Sequence, residues 1–180
     1  MSRMHLGLLV CATLLPSAAL AADLPKEGSF KATFFGTDLP GKMTSLPTAD
    51  GKVASINEES FTYVNDAGDG FLHRATGRCL ITSTSSDAGF HASGPCTYAD
   101  PDGDLIFSTF AIRGGGGEAP AGTKEYIGGT GKYVGLAGRA TFTIAPLKPM
   151  DKASPAAFEG HVQGTYRLGA ERTTGAGAVR

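Results

Sequence analysis

The chain has 180 residues, with 16 lysines and arginines against 17 aspartates and glutamates, so its formal net charge at pH 7 is −1. It has no basic run, and this near-neutral charge excludes the electrostatic footprint of a nucleic-acid-binding domain. Glycine is frequent, at 26 residues, and tryptophan is absent. Because the glycines follow no collagen-like period, they indicate many tight turns between short strands.

Residues 1–21 have the organisation of a cleavable signal peptide. Arg3 makes the start positive, residues 6–15 form an uncharged apolar run, and Ala-Leu-Ala at 19–21 is the small-x-small pattern that signal peptidase recognises. The run is too short to cross a membrane, which takes about 20 apolar residues. Cys11 leaves lipidation open as an alternative. We expect a periplasmic or extracellular protein without a membrane anchor.

The cysteines support the same compartment. Removal of the signal peptide would leave Cys79 and Cys96, and an even number in an exported chain favours a disulfide. Closing a loop of this length would stabilise the fold by about 3 kcal/mol in the chain-entropy model. Two free buried thiols are the alternative. The sequence has no C-x-x-C motif and no zinc-ligand spacing, so it predicts no cofactor.

Alternation of apolar and polar residues predicts eight short strands. These strands are 30–35, 60–65, 71–82, 89–97, 105–113, 123–128, 139–145 and 158–168. Turn-forming segments separate them at 65–70 and 100–104, a flexible glycine break lies at 114–117, and a proline-bearing loop lies at 146–155.

The last predicted strand is the clearest example of the pattern. Phe158, Val162 and Tyr166 share one face with intervening glycines, which suits the tapering interior of a small barrel. We therefore expect residues 22–168 to form a single all-β domain, an eight-stranded antiparallel barrel, followed by a frayed tail at 169–180. A two-sheet sandwich is the alternative.

The strand predicted at 71–82 carries the most informative polar side chains. One face would present His73 and Cys79, and the other Arg74 and Arg78, and the pattern leaves the inward face open. If the first face points inward, His73 becomes a candidate general acid or base. If the second does, the arginines could hold an anionic or carbonyl group. In a third interpretation, all of these polar groups lie at the rim in water.

Alternate carboxylates at Asp100, Asp102 and Asp104 are typical of the start of a calcium loop. An EF-hand would need a glycine and a glutamate where this chain has Leu105 and Ala111. A calcium site of another kind stays open. The pattern favours a solvated β-turn, because aspartate, proline and glycine are preferred turn residues.

Residues 127–143 contain the glycine-rich motif Ile-Gly-Gly-Thr-Gly-Lys-Tyr-Val-Gly-Leu-Ala-Gly-Arg-Ala-Thr-Phe-Thr. No Lys-Ser/Thr pair and no helix follow the glycines, so a phosphate-binding loop is not favoured. A structural role in turns, bulges or bends suits them better. The residues concerned are Gly128, Gly129, Gly131 and Gly138, and Tyr133 is expected to cover one end of the barrel.

This motif resembles the Gly-Gly-Thr-Gly-x-aromatic signature of plant dirigent proteins and, more loosely, of allene oxide cyclases. It is also similar to the motif in secreted bacterial proteins of this barrel superfamily. The resemblance implies an eight-stranded antiparallel barrel with an apolar interior pocket, and it implies a homo-oligomer, since such barrels often associate. Glu125 and Tyr126, directly before the motif, are candidate pocket residues by position, together with Tyr133 and Arg74.

Three functions are compatible with these features. The first, favoured by the lack of an assignable catalytic set, is a non-catalytic barrel that binds a small hydrophobic molecule in its interior. The second is a cyclase, isomerase or dirigent-like enzyme on a small hydrophobic or phenolic substrate, which would need two titratable groups converging inside the barrel. The third is a structural or interaction module with a large exposed apolar patch.

Overall fold

The computed structural model describes residues 24–169, which form a closed antiparallel barrel of eight strands in sequence order. The strands are β1 (Glu27–Pro47), β2 (Val53–Asn65), β3 (Thr76–Ser86), β4 (Gly89–Ala99), β5 (Leu105–Gly115), β6 (Glu118–Gly129), β7 (Ala137–Pro146) and β8 (Ala157–Arg167), with a short 3-10 helix at Gly131–Tyr133. The predicted eight-stranded barrel is confirmed. The predicted signal peptide and the tail beyond Gly169 lie outside the described residues. Within residues 24–169, no helix is long and apolar enough to cross a membrane.

Pairing of the first strand with the last closes the barrel. The β1–β8 ladder runs without interruption, and it places Phe30 opposite Gly164 and Phe34 opposite Gly160. Every strand therefore has two partners, so the backbone hydrogen-bonding groups of the sheet have no free edge.

Aromatic rings on one strand fill the space left by glycines on the next. A Cβ added at Gly160 would lie only 2.1 Å from Cζ of Phe34, so a larger residue there would have to displace the Phe34 ring. Phe142 of β7 and Val162 of β8 are also buried, as the alternating pattern predicted. The interior is therefore packed by rings and glycines that alternate across neighbouring strands.

β1 and β2 extend well beyond the strands predicted at 30–35 and 60–65. β1 continues to Pro47 through an irregularity between Asp38 and Met43, where Gly41 has a φ of 71°. A bulge here lets the chain absorb Pro40 and Gly41 and then resume pairing with β2. The glycine break at 114–117 is likewise a tight hairpin turn, with Gly116 and Gly117 both at positive φ.

The prediction of a strand at 71–82 is wrong at its start, because β3 begins only at Thr76. Leu72 and Arg74 have φ values of 66° and 57°, which turn the chain back on itself. Phe71 and Leu72 are both 1% exposed although they are adjacent, which alternation in a strand does not allow. This segment inserts into the barrel end.

Five aromatic side chains close that end of the barrel, which we call the closed end. Phe71 stacks on Tyr166 with 4.5 Å between ring centroids, and it meets Phe30 and Tyr126 edge to face at 5.0 Å. Tyr133 of the 3-10 helix packs on Phe71 from outside at 6.1 Å. Edge-to-face and stacked contacts of this kind stabilise beyond the burial of area alone.

A disulfide joins Cys79 of β3 to Cys96 of β4, as predicted, with 4.1 Å between the Cα atoms. The bridge lies where the backbone ladder is interrupted. Pairing is continuous up to Cys79 and Cys96 and resumes only at Thr82 and Ser93. Pro95, next to the bridge, has no N–H to donate to the neighbouring strand. The covalent bond therefore secures the weakest part of the β3–β4 pair.

Replacing both cysteines by alanine is expected to lower the free energy of unfolding by about 3 kcal/mol, because the loop between them spans 17 positions. Urea unfolding followed by circular dichroism measures the change. Reductant should destabilise the wild-type protein to a similar extent and leave the double variant unaffected. Equal unfolding free energies for the wild-type protein and the double variant, both measured without reductant, would contradict this role.

Candidate functional site

A cavity of about 90 Å³ lies inside the barrel between the aromatic closed end and the opposite, open end. Its walls are mainly phenylalanine and isoleucine side chains, and its two ionisable residues are Glu59 and Lys124. At the open end, Phe90, Ile144 and Phe158 are only partly buried, so they form its mouth. The lining residues are Phe34, Glu59, Phe61, Cys79, Ile81, Phe90, Ala92, Phe110, Ile112, Lys124, Phe142, Ile144 and Phe158.

Lys124 projects from β6 into the centre of the barrel and is 6% exposed. Its ammonium group donates hydrogen bonds to the hydroxyl oxygens of Tyr63, at 2.7 Å, and Tyr98, at 2.5 Å. We call these three residues the Lys124 cluster. The ammonium also lies 4.8 Å from the ring centroid of Tyr98 and 5.9 Å from that of Phe61. Such contacts with ring faces partly replace the hydration that the cation loses on burial.

Tyr63 of the Lys124 cluster stays in the neutral phenol form. Burial, together with the neighbouring Tyr98 and Tyr126, raises the pKa of the Tyr63 hydroxyl well above its usual value. The Tyr63 hydroxyl also lies 3.4 Å from that of Tyr98, which in turn lies 3.5 Å from the Cys79 sulfur. Since the sulfur is bonded in the disulfide, Tyr98 is the donor in that contact. The disulfide therefore touches the cluster directly.

Other polar atoms in the interior lack partners. Among residues 24–169, the buried side-chain atoms without a hydrogen-bond partner are Ser108 Oγ, the Tyr126 hydroxyl and His73 Nδ1. Ser108 and Tyr126 are each 1% exposed and face each other in the β5–β6 register. Unpaired polar groups in a core are destabilising, so the centre of this barrel is more polar than packing alone would favour.

Glu59 lies on the cavity wall next to a second carboxylate, Asp38 of β1. The amide of Asn57 donates to both, at 3.2 Å to Glu59 and 3.0 Å to Asp38. Burial raises the pKa of Glu59 to about 7; the Asn57 hydrogen bond opposes this shift, and the charge of Asp38 adds to it. A carboxyl group with this pKa exchanges its proton near neutral pH.

The candidate residues from the segment at 71–82 lie away from the cavity. His73 is half-buried in the turn at the closed end, and Arg74 is exposed beside it. On β3, Cys79 and Ile81 point inward while Arg78 points outward, where its guanidinium lies 3.8 Å from the carboxylate of Glu58. The side chains that line the cavity are therefore not the histidine and arginines that the sequence singled out.

The candidates near the glycine motif also lie outside the cavity. Glu125 is exposed and pairs with Arg139 at 3.5 Å. Tyr126 is buried at the closed end, where burial raises its pKa well above the usual value. Tyr133 covers the same end, and its hydroxyl donates to Asp100 at 3.1 Å.

The aspartate turn after β4 binds a lysine of the same chain. The Lys132 ammonium lies 2.6 Å from the carboxylate of Asp100 and also contacts Asp102. Although partial burial opposes it, the hydrogen bond from Lys132 keeps the pKa of Asp100 below its usual value. Backbone N–H groups of Asp102 and Asp104 donate to the other oxygen of Asp100. Among residues 24–169, no group of three or more histidine, cysteine, aspartate or glutamate side chains is placed to hold a metal ion.

The glycine motif docks on this turn. Thr130 and Leu105 exchange hydrogen bonds at 2.8 and 2.9 Å, and the backbone N–H of Lys132 donates to Asp104 at 3.2 Å. Gly131, at a φ of 48°, lies so close to Asp104 that an added Cβ would be 1.9 Å from the carboxylate oxygen. The motif therefore fastens the β6–β7 connection to the start of β5.

Sequence reasoning missed Lys124, Glu59, Tyr63 and Tyr98 as site residues. A usable signal existed for one of them. Alternation in the strand predicted at 123–128 places Lys124 on the same face as Tyr126, and a lysine on an inward face is unusual enough to mark a site. Glu59 precedes the strand predicted at 60–65, so the sequence pattern did not include it.

No protein-family model and no curated protein matches this chain. Solved structures with a similar fold were found. The pterocarpan synthase dirigent protein GePTS1 superposes with a TM-score of 0.49 at 16% identity, covering 79% of this chain and 92% of its own. PsPTS1, a second protein with that description, gives a TM-score of 0.45 at 17% identity, covering 81% of this chain and 97% of its own. Both are dirigent proteins.

Gly131→Ala is expected to destabilise the fold more than Gly116→Ala does. Both glycines have positive φ, but only Gly131 has a neighbour within 4 Å of the added Cβ. The shared backbone strain costs about 1 kcal/mol. Displacement of Asp104 should add about 1 kcal/mol for the lost hydrogen bond. Urea unfolding of the two variants measures the difference, and equal losses would exclude a docking role for Gly131.

The stability of the barrel is expected to fall as the pH rises from about 4.5 to 7. The pKa of Glu59 is about 7 in the fold against 4.5 as the ordinary value, so the folded state binds the proton more tightly in this window. The stabilisation is complete below the lower value and lost above the higher one. Glu59→Gln keeps the amide contacts, so at pH 8 it should be more stable than wild type by about 2–3 kcal/mol.

Urea unfolding across this pH range compares wild type, Glu59→Gln and the control Glu58→Gln. Glu58 is the outward-facing neighbour that contacts Lys42 and Arg78. The control should keep the wild-type pH profile. If the unfolding free energy of Glu59→Gln varied with pH in the same way as that of wild type, the Glu59 carboxyl would not be the cause of the pH dependence.

Proposed function

We propose that this protein is an exported barrel that binds a small hydrophobic molecule in its interior. The observation that supports the proposal is the apolar cavity of about 90 Å³, with Phe34, Phe61 and Phe142 among its walls and a mouth at the open end. Ligand sites are typically concave, largely apolar and supplied with a few polar groups that fix orientation. Here Lys124 and Glu59 are those polar groups.

The size of the cavity limits the ligand. Sites for drug-sized molecules occupy about 300–1,000 Å³, whereas an engineered apolar cavity of about 150 Å³ takes up benzene. At about 90 Å³ with an open mouth, this cavity suits a single ring whose outer edge stays between the partly buried Phe90 and Phe158. A molecule with two fused rings would require displacement of these side chains.

The proposed compartment rests on two features. Residues 1–21 have the pattern of an export signal. The Cys79–Cys96 disulfide persists in oxidising compartments and is rare in the reducing cytosol.

A dirigent-like or isomerising enzyme is the second candidate, and the observation that favours it is the presence of two titratable groups, Glu59 and Lys124, on one cavity. A carboxyl group with a pKa of about 7 suits general acid–base catalysis, and a lysine can stabilise developing negative charge. Glu59→Gln separates the two functions, because it removes the proton-transferring group and leaves the apolar cavity for binding.

An interaction module would use the outer surface instead. Leu46 and Ile56 are 65% and 53% exposed there, beside threonines of β3. These two side chains line one surface groove, whereas the interior cavity combines apolar walls with the ionisable Glu59 and Lys124, which favours the interior as the functional part of the molecule.

Ala92→Leu is expected to weaken the binding of a ring-sized apolar probe by about tenfold or more. Ala92 lies on the cavity wall and is 6% exposed, so the larger side chain would occupy the space that the probe needs. Titration of fluorobenzene followed by ¹⁹F NMR measures the affinity, and circular dichroism shows whether the variant is folded.

Ala111→Leu is the matched control. Ala111 lies on the adjacent strand β5 and is exposed on the outer face, so the same substitution adds no atoms to the cavity. It should leave the affinity for fluorobenzene unchanged. Failure of the wild-type protein to bind the probe, or equal binding by the folded Ala92→Leu variant, would overturn the proposed function.

A further inference from the structure

We infer that the Lys124 ammonium binds the anionic oxygen of the ligand, so that the barrel selects a small hydrophobic carboxylate over its neutral analogues. This inference rests on the proposed binding function and names the chemical class of the ligand. Three features of the Lys124 cluster support it: the count of hydrogen-bond donors, the absence of a counter-ion and the placement of the amine between the closed end and the cavity.

The ammonium has one donor more than the protein uses. A lysine ammonium carries three N–H groups, and two of them donate to the hydroxyl oxygens of Tyr63 and Tyr98. Lys124 lines the cavity, whereas neither tyrosine does. Phe61 and Phe142, whose ring centroids lie 5.9 Å from the amine, are cavity walls. The remaining N–H is therefore on the cavity side.

The positive charge of Lys124 has no counter-ion within ion-pair distance among the described residues, 24–169. Among residues 24–169, the carboxylates that form ion pairs do so with other cations and not with Lys124. Burial and neighbouring tyrosines raise the pKa of Tyr63, so this phenol does not supply negative charge. A buried cation without a partner is strongly destabilising. An anion in the cavity would relieve that cost.

The shape of the cavity selects the rest of the ligand. An oxygen that accepts from Lys124 lies at the inner end, and the attached apolar group then extends between Phe34, Phe142 and Phe158 towards the mouth. Aromatic walls favour a ring through edge-to-face contacts. The class that satisfies both ends is a monocyclic aromatic carboxylate of the size of benzoate.

Glu59 sets the conditions for the test. It lies on the same cavity wall, and Asp38 is its carboxylate neighbour. Its pKa is about 7, so at pH 6 Glu59 is mostly protonated and does not repel a bound anion. Benzoate remains ionised at this pH, because carboxylic acids of this kind titrate about two units lower.

Calorimetric titration at pH 6 with benzoate, benzamide and benzylamine tests the inference on the oxidised protein. The three probes share one ring and differ in charge. Wild type should bind benzoate at least about tenfold more tightly than benzamide, because a charge-assisted hydrogen bond in a core contributes about 1.5–3 kcal/mol. Benzylamine should bind weakest, since its charge repels Lys124.

Lys124→Met removes the charge and keeps the length of the side chain. It should abolish the preference for benzoate, by lowering the affinity for benzoate at least about tenfold and that for neutral benzamide by less. Lys31→Met, on the exposed face of β1, is the matched control and should keep the preference. If Lys124→Met does not fold, the order of the affinities of wild type for the three probes tests the inference by itself.

The outcomes separate the two proposals. Benzamide binding as tightly as benzoate to wild type overturns the inference and leaves the proposed function in place. A preference for benzoate that persists in folded Lys124→Met also overturns it, because the anion is then recognised elsewhere. If none of the three probes and no fluorobenzene binds, the proposed function fails and the inference fails with it.

Discussion

The structure depends on the pairing of β1 with β8, because closure makes one enclosed interior from eight strands. The unbroken ladder from Glu27 to Thr37 fixes which residues of the first strand point inward, and each further strand then inherits its facing from its neighbour. Once the barrel is closed, side chains far apart in sequence share the same small space. Lys124 and Tyr63, which are 61 positions apart, meet for this reason.

Closure also explains how a polar centre is tolerated. Aromatic rings such as Phe71 and Tyr166 exclude water from one end, while the ring faces of Tyr98 and Phe61 surround the amine. The Lys124 cluster therefore lies between the aromatic closed end and the apolar cavity. A group kept in such surroundings contributes little to stability and is better suited to recognising a ligand than to holding the fold together. The glycine motif has the opposite character, since its contacts with Asp104 and Leu105 are structural.

Much of the fold could be predicted from alternation. A shift of one residue in the pairing of two strands would turn the apolar side chains of a strand out of the core, so the alternating pattern determines which face points inward. The inward faces of β7 and β8 followed directly from this pattern. The turn that places Phe71 and Leu72 in the closed end could not be predicted. Its residues with positive φ are Leu72 and Arg74, and neither is a glycine that would mark a turn in the sequence. The site was harder still. His73 and Arg78 attracted attention by residue type, whereas the residues on the cavity, Glu59 and Lys124, come together only through the register of strands that are distant in the chain.

The disulfide has a consequence that follows from its contact with the Lys124 cluster. Cys79 touches the Tyr98 hydroxyl, and the bridge spans the interrupted part of the β3–β4 ladder. Reduction of this bond would change the contact that Tyr98, a hydrogen-bond partner of the amine, makes with Cys79, and would so link the Lys124 cluster to the oxidation state of the bridge. Such linkage is reciprocal. Any molecule that binds better to the oxidised barrel makes the bridge harder to reduce, so an occupied cavity would itself protect the covalent bond that shapes it.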